Sequence, residues 1–348
     1  MAPYPGFTIQ ESIREPGSDR PVPIAVIGAG ILATQIVFPS LALIKNARLV
    51  AVCDLDRARA ADRARCYGAE QVFTSADDLL EAKVADGVVI CASQAVYMEL
   101  APRFLRAGVA VYVEKPPADS AAYYLPAARA SLESGKLLMT AFKKRYAPLY
   151  VKMKEVIERA EFGQPSALSL QRSFAGLGGG FLLGFGIHAI DLAPWLMGSR
   201  VASVSALSPD ENTWSIQLCF DSGAVGSMIL SGSGHRSYPD DQVTVFGETC
   251  TSQMVFVRDY QSLHYAHDGR TEVLHQVNLA VQGTHTQNGQ IEAGFQPELQ
   301  AFVDAIATGD ATLIKSDARE TYETMLVYDA CLASAESGKR IALDYSGL

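Results

Sequence analysis

From Val22 the chain alternates short β-branched runs with helical stretches. "VPIAVIG", "RLVAVCD", "GVVICAS" and "VAVYVEK" are separated by segments rich in Ala, Leu and Arg. Continuously apolar runs of strand length read as strands buried on both faces, and intervening helices are what can cover those faces. The pattern predicts βαβ units on a parallel sheet, continuing through "KLLMTAF" to about Tyr146.

Beyond that point the regime changes. A helical stretch near "YVKMKEVIERA" is followed by "VASVSALS", "WSIQLCF", "AVGSMIL", "QVTVFG" and "SQMVFV", runs of strand length joined by turn residues such as Asp221-Ser222-Gly223. They predict a mainly antiparallel sheet. Two helical stretches close the chain, "PELQAFVDAIATG" and "DARETYETMLVYDACLASAESG". In the second, Thr324, Val327, Tyr328 and Cys331 recur at helical spacing and predict a face packed on a core.

At 348 residues, 49% of them hydrophobic, the chain can bury more than one core. We read residues 1–20 as a loose leader, 21–145 as a nucleotide-binding α/β domain, and 146–348 as an α+β domain for substrate binding and oligomerisation, with the cleft between them as the expected site. A net charge of −9 without any sustained Lys/Arg run argues against nucleic acid or an anionic membrane as partner. With no signal-peptide core or membrane-spanning run, a cytoplasmic protein acting on a small polar molecule is expected. The six cysteines show no CxxC spacing, and His264, His267, His275 and His285 are dispersed. Reduced thiols and no metal site follow.

"AVIGAGILA" sets Gly28, Gly30 and Ala33 in G-x-G-x-x-A spacing after the first strand and at the start of a helix. Such a turn lets a pyrophosphate approach the backbone at a helix N-terminus, with Ile31 and Leu32 beside it. Asp54 ends the second apolar run, where a carboxylate binds ribose hydroxyls; the alternative is an N-cap for the helix "RARAADRARC". A carboxylate there favours NAD over NADP, and Arg57 nearby softens the preference. "VYVEKPP" places Glu114, Lys115 and Pro116 at the carboxyl end of a further strand, the end that faces the nucleotide crevice. A lysine there can hydrogen-bond a substrate hydroxyl; the bland alternative is an exposed lysine before a turn.

Taken in order, "GAGILA", "CDLD", "EKP", "FKKRYAPLY", "GGGFLLGFGIHAIDLAPWLMG" and "GFQPELQAFVDAIATG" resemble the glucose-fructose oxidoreductase/inositol dehydrogenase/MocA family, over about Ile24 to Ile341. The glycine turn is generic; EKP combined with G-x-H-x-x-D-L is specific. The resemblance implies an N-terminal Rossmann domain and a C-terminal α+β domain with a large, mostly antiparallel open sheet, whose outer face makes a homodimer or homotetramer. It implies oxidation or reduction of a secondary alcohol on a sugar, cyclitol or related polyhydroxylated compound, with NAD or NADP as cofactor.

By the same resemblance Lys115 and His188 are the catalytic pair and Pro116 is a cis-proline, with Glu114 near the nicotinamide ribose. Ala92, Ser93 and Gln94 line the cofactor; Ser93 and Tyr97 stand where relatives carry proline and histidine. Lys143 and Lys144 match positions that reach nicotinamide or substrate, with surface lysines as the alternative. Arg172 either points into the cleft or forms a cross-strand ion pair, and Tyr238 and His235 lie on a loop of either substrate contacts or turn-stabilising groups.

Relatives commonly read D-x-G-x-H, with an aspartate one helical turn before the histidine, where it can orient the imidazole. Here that place is Gly184. Asp191, three residues after His188, faces it if the helix has begun there. The missing carboxylate leaves three readings open: a dehydrogenase, a lyase or glycosidase assisted by transient oxidation on retained NAD, and a sensor without turnover.

Overall fold

The computed structural model describes residues 21–174, 180–233, 240–248, 254–258, 261–276 and 287–348. The leader, His235, Tyr238, Cys250 and His285 lie outside the described residues. Both halves take the predicted classes. Strands β1 (Val22–Ile27), β2 (Ala47–Cys53), β3 (Gln71–Phe73), β4 (Gly87–Ile90), β5 (Ala110–Val113) and β6 (Leu138–Thr140) form one sheet in the order β3-β2-β1-β4-β5-β6. Every pairing in it is parallel. The order reverses between β1 and β4, which opens a crevice at the carboxyl ends of those strands.

Helices α1 (Phe38–Ala42), α2 (Arg57–Tyr67), α3 (Ala76–Ala82), α4 (Gln94–Arg106) and α5 (Ala121–Ser134) connect these strands. Their starts carry side-chain caps where the local sequence supplies them. Asp56 accepts from the amides of Ala58 and Arg59, and Ser75 from those of Asp77 and Asp78, satisfying donors that a first turn otherwise leaves orphaned. Capping α2 therefore falls to Asp56 and leaves Asp54 for another task.

In the second half, after α6 (Pro148–Ile157), strand β7 (Pro165–Ser173) joins β8 (Val201–Asp210), β9 (Thr213–Phe220), β10 (Val225–Ser231), β11 (Asp240–Gly247), β12 (Met254–Arg258), β13 (Ser262–His267), β14 (Arg270–Gln276) and β15 (Ile341–Ala342). The order is β14-β13-β12-β11-β7-β10-β9-β8-β15, antiparallel except between β7 and β10. Period-2 alternation sorts the side chains. Leu168, Leu170, Ile216, Leu218, Met228 and Leu230 are buried on one face, whereas Leu207, Val225, Ile229 and Phe246 stay exposed on the other.

Helix α7 (Ile187–Met197) and helices α8 (Gln287–Glu292), α9 (Phe295–Thr308) and α10 (Ala318–Ser337) complete the chain. On α10, Thr324, Val327, Tyr328 and Cys331 are buried, as their spacing predicts. The helix packs on β8 and also on α5 of the first half. Meanwhile α9 returns to the first sheet, where Leu299, Phe302 and Val303 share a core with Ile24, Val26 and Val89. Fully burying a side chain such as Phe302 contributes about 1.5–3 kcal/mol, so these two helices clamp the halves together along the crevice. Among the described residues no helix is long and apolar enough to cross a membrane. Of the five described cysteines, all free, Cys53 and Cys331 are buried and Cys66 is exposed.

Candidate active site

The glycine turn begins where β1 ends. Gly28 has φ +95°, and a Cβ built on it would stand 2.1 Å from the Cys91 carbonyl oxygen, so only glycine lets β1 and the loop after β4 pass this closely. Gly30 is different. A Cβ there meets nothing within 4 Å, which leaves a backbone surface open to an incoming group at a helix start. The helix then runs through a π-helical turn, Ala33–Val37, in which Ala33 is fully buried, as its close-packing role predicts. Ile31 and Leu32 stand exposed on the rim.

One carboxylate ties this turn to the second strand. Asp54 Oδ2 accepts the Ala29 amide at 2.7 Å and Oδ1 the Asp56 amide at 2.9 Å. The arginine beside it is Arg59, with Nε 3.6 Å from Oδ1, while Arg57 is exposed on the first turn of α2. Sequence order alone pointed to the nearer arginine; helical geometry brings the residue one further turn position round. On the other side of the crevice, Ala92 and Ser93 are exposed, and Ser93 stands at the N-cap of α4 ahead of Gln94. The buried Tyr97 hydroxyl donates to the Ala92 carbonyl at 2.6 Å and accepts its amide at 3.2 Å, which pins this loop.

At the end of β5 the Lys115-Pro116 peptide is cis, as the resemblance implies. Glu114 is buried, and its Oε2 accepts the Lys115 amide at 3.1 Å. Burial pushes the Glu114 carboxyl above its ordinary value and the Lys115 amine below its own. Lys115 Nζ donates to the Gly184 carbonyl at 2.8 Å and lies 5.0 Å from the Phe185 ring centroid. A main-chain oxygen thus holds the lysine at the position where the resemblance led us to expect a carboxylate. Leu182–Gly186 forms a second π-helical turn before α7, and a Cβ on Gly184 would meet nothing within 4 Å. Among the described residues no packing demand excludes a side chain there.

His188, on the first turn of α7, is 3% exposed, and its buried Nδ1 has no hydrogen-bond partner among the described residues. Its ring stands edge-on to Phe142 at 6.3 Å. Burial, then the charges of Lys115, Arg172, Lys143 and Lys144, hold the imidazole well below its ordinary range. It is therefore neutral at pH 7 and able to accept a proton. Lys143 opens a 3-10 turn after β6, its Nζ 3.8 Å from the Phe295 ring centroid. Burial, followed by Arg172 and Lys144, pushes its amine down to about 7.

Three sequence expectations need correction or sharpening. Asp191 does not turn to His188: Arg145 Nη2 is 2.8 Å from its Oδ1 and Nε 3.0 Å from its Oδ2, and Thr324 donates to Oδ1 at 3.4 Å. Burial raises that carboxyl to about 6 against the pull of Arg145. Lys144 is a buried lysine rather than a surface one, bonded to Asp241 and, at 2.9 Å, to the Tyr150 hydroxyl. Arg172 forms the cross-strand pair, meeting Asp241 directly opposite in the β7–β11 register, and still lies close enough to depress Lys115 and His188. Burial works to raise the Asp241 carboxyl, but Lys144 and Arg172 hold it below the usual range.

Sequence reasoning missed Arg145, Asp241 and Glu298, because their partners lie 46, 69 and 186 residues away. Glu298, on the first turn of α9, is buried and accepts the Tyr112 hydroxyl at 2.8 Å. Burial and then Glu114 push its carboxyl well up. An acidic residue in the first turn of "PELQAF" was visible, but its burial was not. Among the described residues no three His, Cys, Asp or Glu side chains gather as a metal site.

Comparison with known proteins bears on this arrangement. Residues 22–142 match the model of an oxidoreductase family with an NAD-binding Rossmann fold, and residues 155–343 the C-terminal alpha/beta domain of the same family. Inositol 2-dehydrogenase 2 of Saccharopolyspora erythraea is 27% identical over 338 residues, covering 90% of this chain and 93% of its own. Inositol 2-dehydrogenase of Rubrobacter xylanophilus is 28% identical over 346 residues, covering 92% and 93%. In fold, an oxidoreductase from Agrobacterium radiobacter, solved with NAD+, L-tartaric acid and magnesium, superposes with a TM-score of 0.81 at 19% identity, over 92% of this chain and 98% of that one. The open backbone at Gly30, the Asp54 carboxylate and both matched domains agree: the chain belongs to the glucose-fructose oxidoreductase/inositol dehydrogenase/MocA family of NAD-binding oxidoreductases.

Proposed function

We propose that this protein is an NAD-dependent dehydrogenase of a secondary alcohol on a sugar, cyclitol or related polyhydroxylated compound. The observation that carries the reading is the convergence of Lys115, from the first half, on the helical turn that presents His188 from the second. Gly28 and Gly30 shape the pyrophosphate turn and Asp54 takes the ribose hydroxyls, with Glu114 near the nicotinamide ribose. NAD held there would supply the hydride acceptor that the oxidation of an alcohol to a ketone requires.

The chain's own part is alignment and proton handling. Neutral His188 accepts the hydroxyl proton, and Lys115 hydrogen-bonds the same oxygen. The Gly184 carbonyl holds the Lys115 amine against the turn that leads into His188, with the Phe185 ring 5.0 Å from it. Lys143 serves at the nicotinamide or the substrate.

The name of both inositol 2-dehydrogenase relatives supports a cyclitol or sugar as the substrate class. The exposed apolar side chains Leu207, Val225, Ile229 and Phe246 support association of copies through the outer face of the large sheet, as a homodimer or homotetramer. A screen of sugars, cyclitols and amino sugars, followed at the absorbance band of reduced nicotinamide, tests the reading. Turnover of at least one polyol is expected. Tight NAD binding with no turnover of any would instead select the sensor, and product without net NADH the redox-assisted lyase.

A further inference from the structure

The helix that presents His188 has few directional holds of its own. Helix α7 starts directly on the π-helical turn with no side-chain cap at Gly186, and Pro194 lacks the amide that a helix would offer to the Ile190 carbonyl. Burial of Ile187, Ile190, Leu192 and Ala193 seats the helix, but apolar attraction is non-directional.

Direction comes from the turn after β6. Phe142 and Arg145, three residues apart, meet His188 and Asp191, which are also three residues apart and neighbours on the surface of α7. The Phe142 ring stands edge-on to the imidazole at 6.3 Å. All three guanidinium nitrogens of the buried Arg145 are engaged. Its Nε donates to Asp191 Oδ2 at 3.0 Å, and Nη2 lies 2.8 Å from Oδ1 and donates to the Asp191 carbonyl at 3.3 Å. Its Nη1 donates to the Lys315 carbonyl and, at 2.8 Å, to Glu320 Oε2. Thr324 of α10 donates to Asp191 Oδ1 at 3.4 Å. One side chain therefore joins the turn that carries Lys143, the helix that carries His188 and the entry to α10. A planar fork on a carboxylate fixes rotation as well as distance, which the point charge of a lysine does not.

We propose that Arg145 is a positioning residue for the reaction: through Asp191 it sets the rotation of α7, and with it the place of His188 against the cofactor-binding half. The inference rests on the dehydrogenase reading for its kinetic consequence and adds what holds the base in place. Arg145 acts through Asp191 rather than on the substrate, so its loss should slow the chemical step and spare binding.

Arg145→Lys tests this, because it keeps a cation at Asp191 and removes the fork. The assay uses NAD and the polyol that wild type turns over fastest in a panel of myo-inositol, D-glucose and D-glucosamine. The kcat should fall by about tenfold to a hundredfold, while KM and the Kd of NAD stay within about threefold. Differential scanning fluorimetry should still show one cooperative transition; if the variant does not fold, Asp191→Asn, of the same shape, should give the same kinetic pattern. Independently of turnover, protein labelled with nitrogen-15 in its six histidines gives an imidazole signal that His188→Gln removes. That signal should shift or broaden in Arg145→Lys while the other histidine signals stay. A kcat within threefold of wild type, an equal loss of NAD affinity, or an unmoved His188 signal overturns the proposal and leaves the dehydrogenase standing. Wild type without turnover of any polyol sinks the dehydrogenase reading, and the His188 signal then decides the proposal by itself.

Discussion

Two glycines of one turn, only two residues apart, should respond oppositely to the same added methyl group. In Gly28→Ala the new Cβ would stand 2.1 Å from the Cys91 oxygen and 2.9 Å from its carbonyl carbon, both backbone atoms that cannot rotate away. The loop after β4 must move by about 1 Å, an overpacking cost of about 1–3 kcal/mol. Holding alanine at φ +95° costs about 1–2 kcal/mol more. Together these make about 3 kcal/mol, which lowers Tm by roughly 10 °C for a domain of this size. Gly30→Ala meets nothing within 4 Å at ordinary φ, so the unliganded protein should keep its Tm within about 2 °C. What it loses is the approach of the pyrophosphate, expected to weaken NAD by about thirtyfold or more, a cost of about 2 kcal/mol. Differential scanning fluorimetry without cofactor and calorimetric titration with NAD separate the two effects. A Gly28→Ala protein that melts with wild type, or a Gly30→Ala protein that binds NAD normally, would refute the division of labour.

Asp54→Ala should weaken NAD at least tenfold and NADP far less; equal losses would mean that the carboxylate merely holds the turn through the Ala29 and Asp56 amides. Because burial and neighbouring cations depress His188, the base form persists to lower pH, so the acid limb of kcat/KM should lie below pH 6.5. A limb at or above 6.5 would contradict the burial argument. Lys115→Ala should cost about a hundredfold or more in kcat/KM, and a loss within a few-fold would remove the lysine from the reaction. If copies associate through the outer sheet face, Ile229→Lys, on its exposed side, should lower the mass seen by light scattering; an unchanged mass would move the interface elsewhere.

Much of the architecture was legible because local chemistry dictates it. Buried β-branched runs separated by helices admit little but a parallel sheet, and G-x-G-x-x-A after the first of them places a nucleotide turn. The periodicity of Thr324, Val327, Tyr328 and Cys331 announced the buried face of α10 for the same reason. Lys115 and His188 were singled out through the family resemblance of their short motifs, and the fold brings the elements that carry them together.

Charge partnership obeyed no such local rule. Asp191 lies three residues from His188 in the chain, yet its oxygens are taken by Arg145, which comes from the other half's last turn and also binds Glu320. Lys143 and Lys144 are neighbours in sequence and opposite in circumstance, one against the Phe295 ring and the other buried on Asp241 and Tyr150. The glycine that replaces an expected aspartate was visible in the sequence; that its carbonyl accepts from the lysine was not. Sequence determines which groups are present and which element each stands on. Which of them meet, and which are forced to give up a proton, is decided only when distant elements pack and exclude water, because desolvation and Coulomb energy depend on separations that span the whole chain.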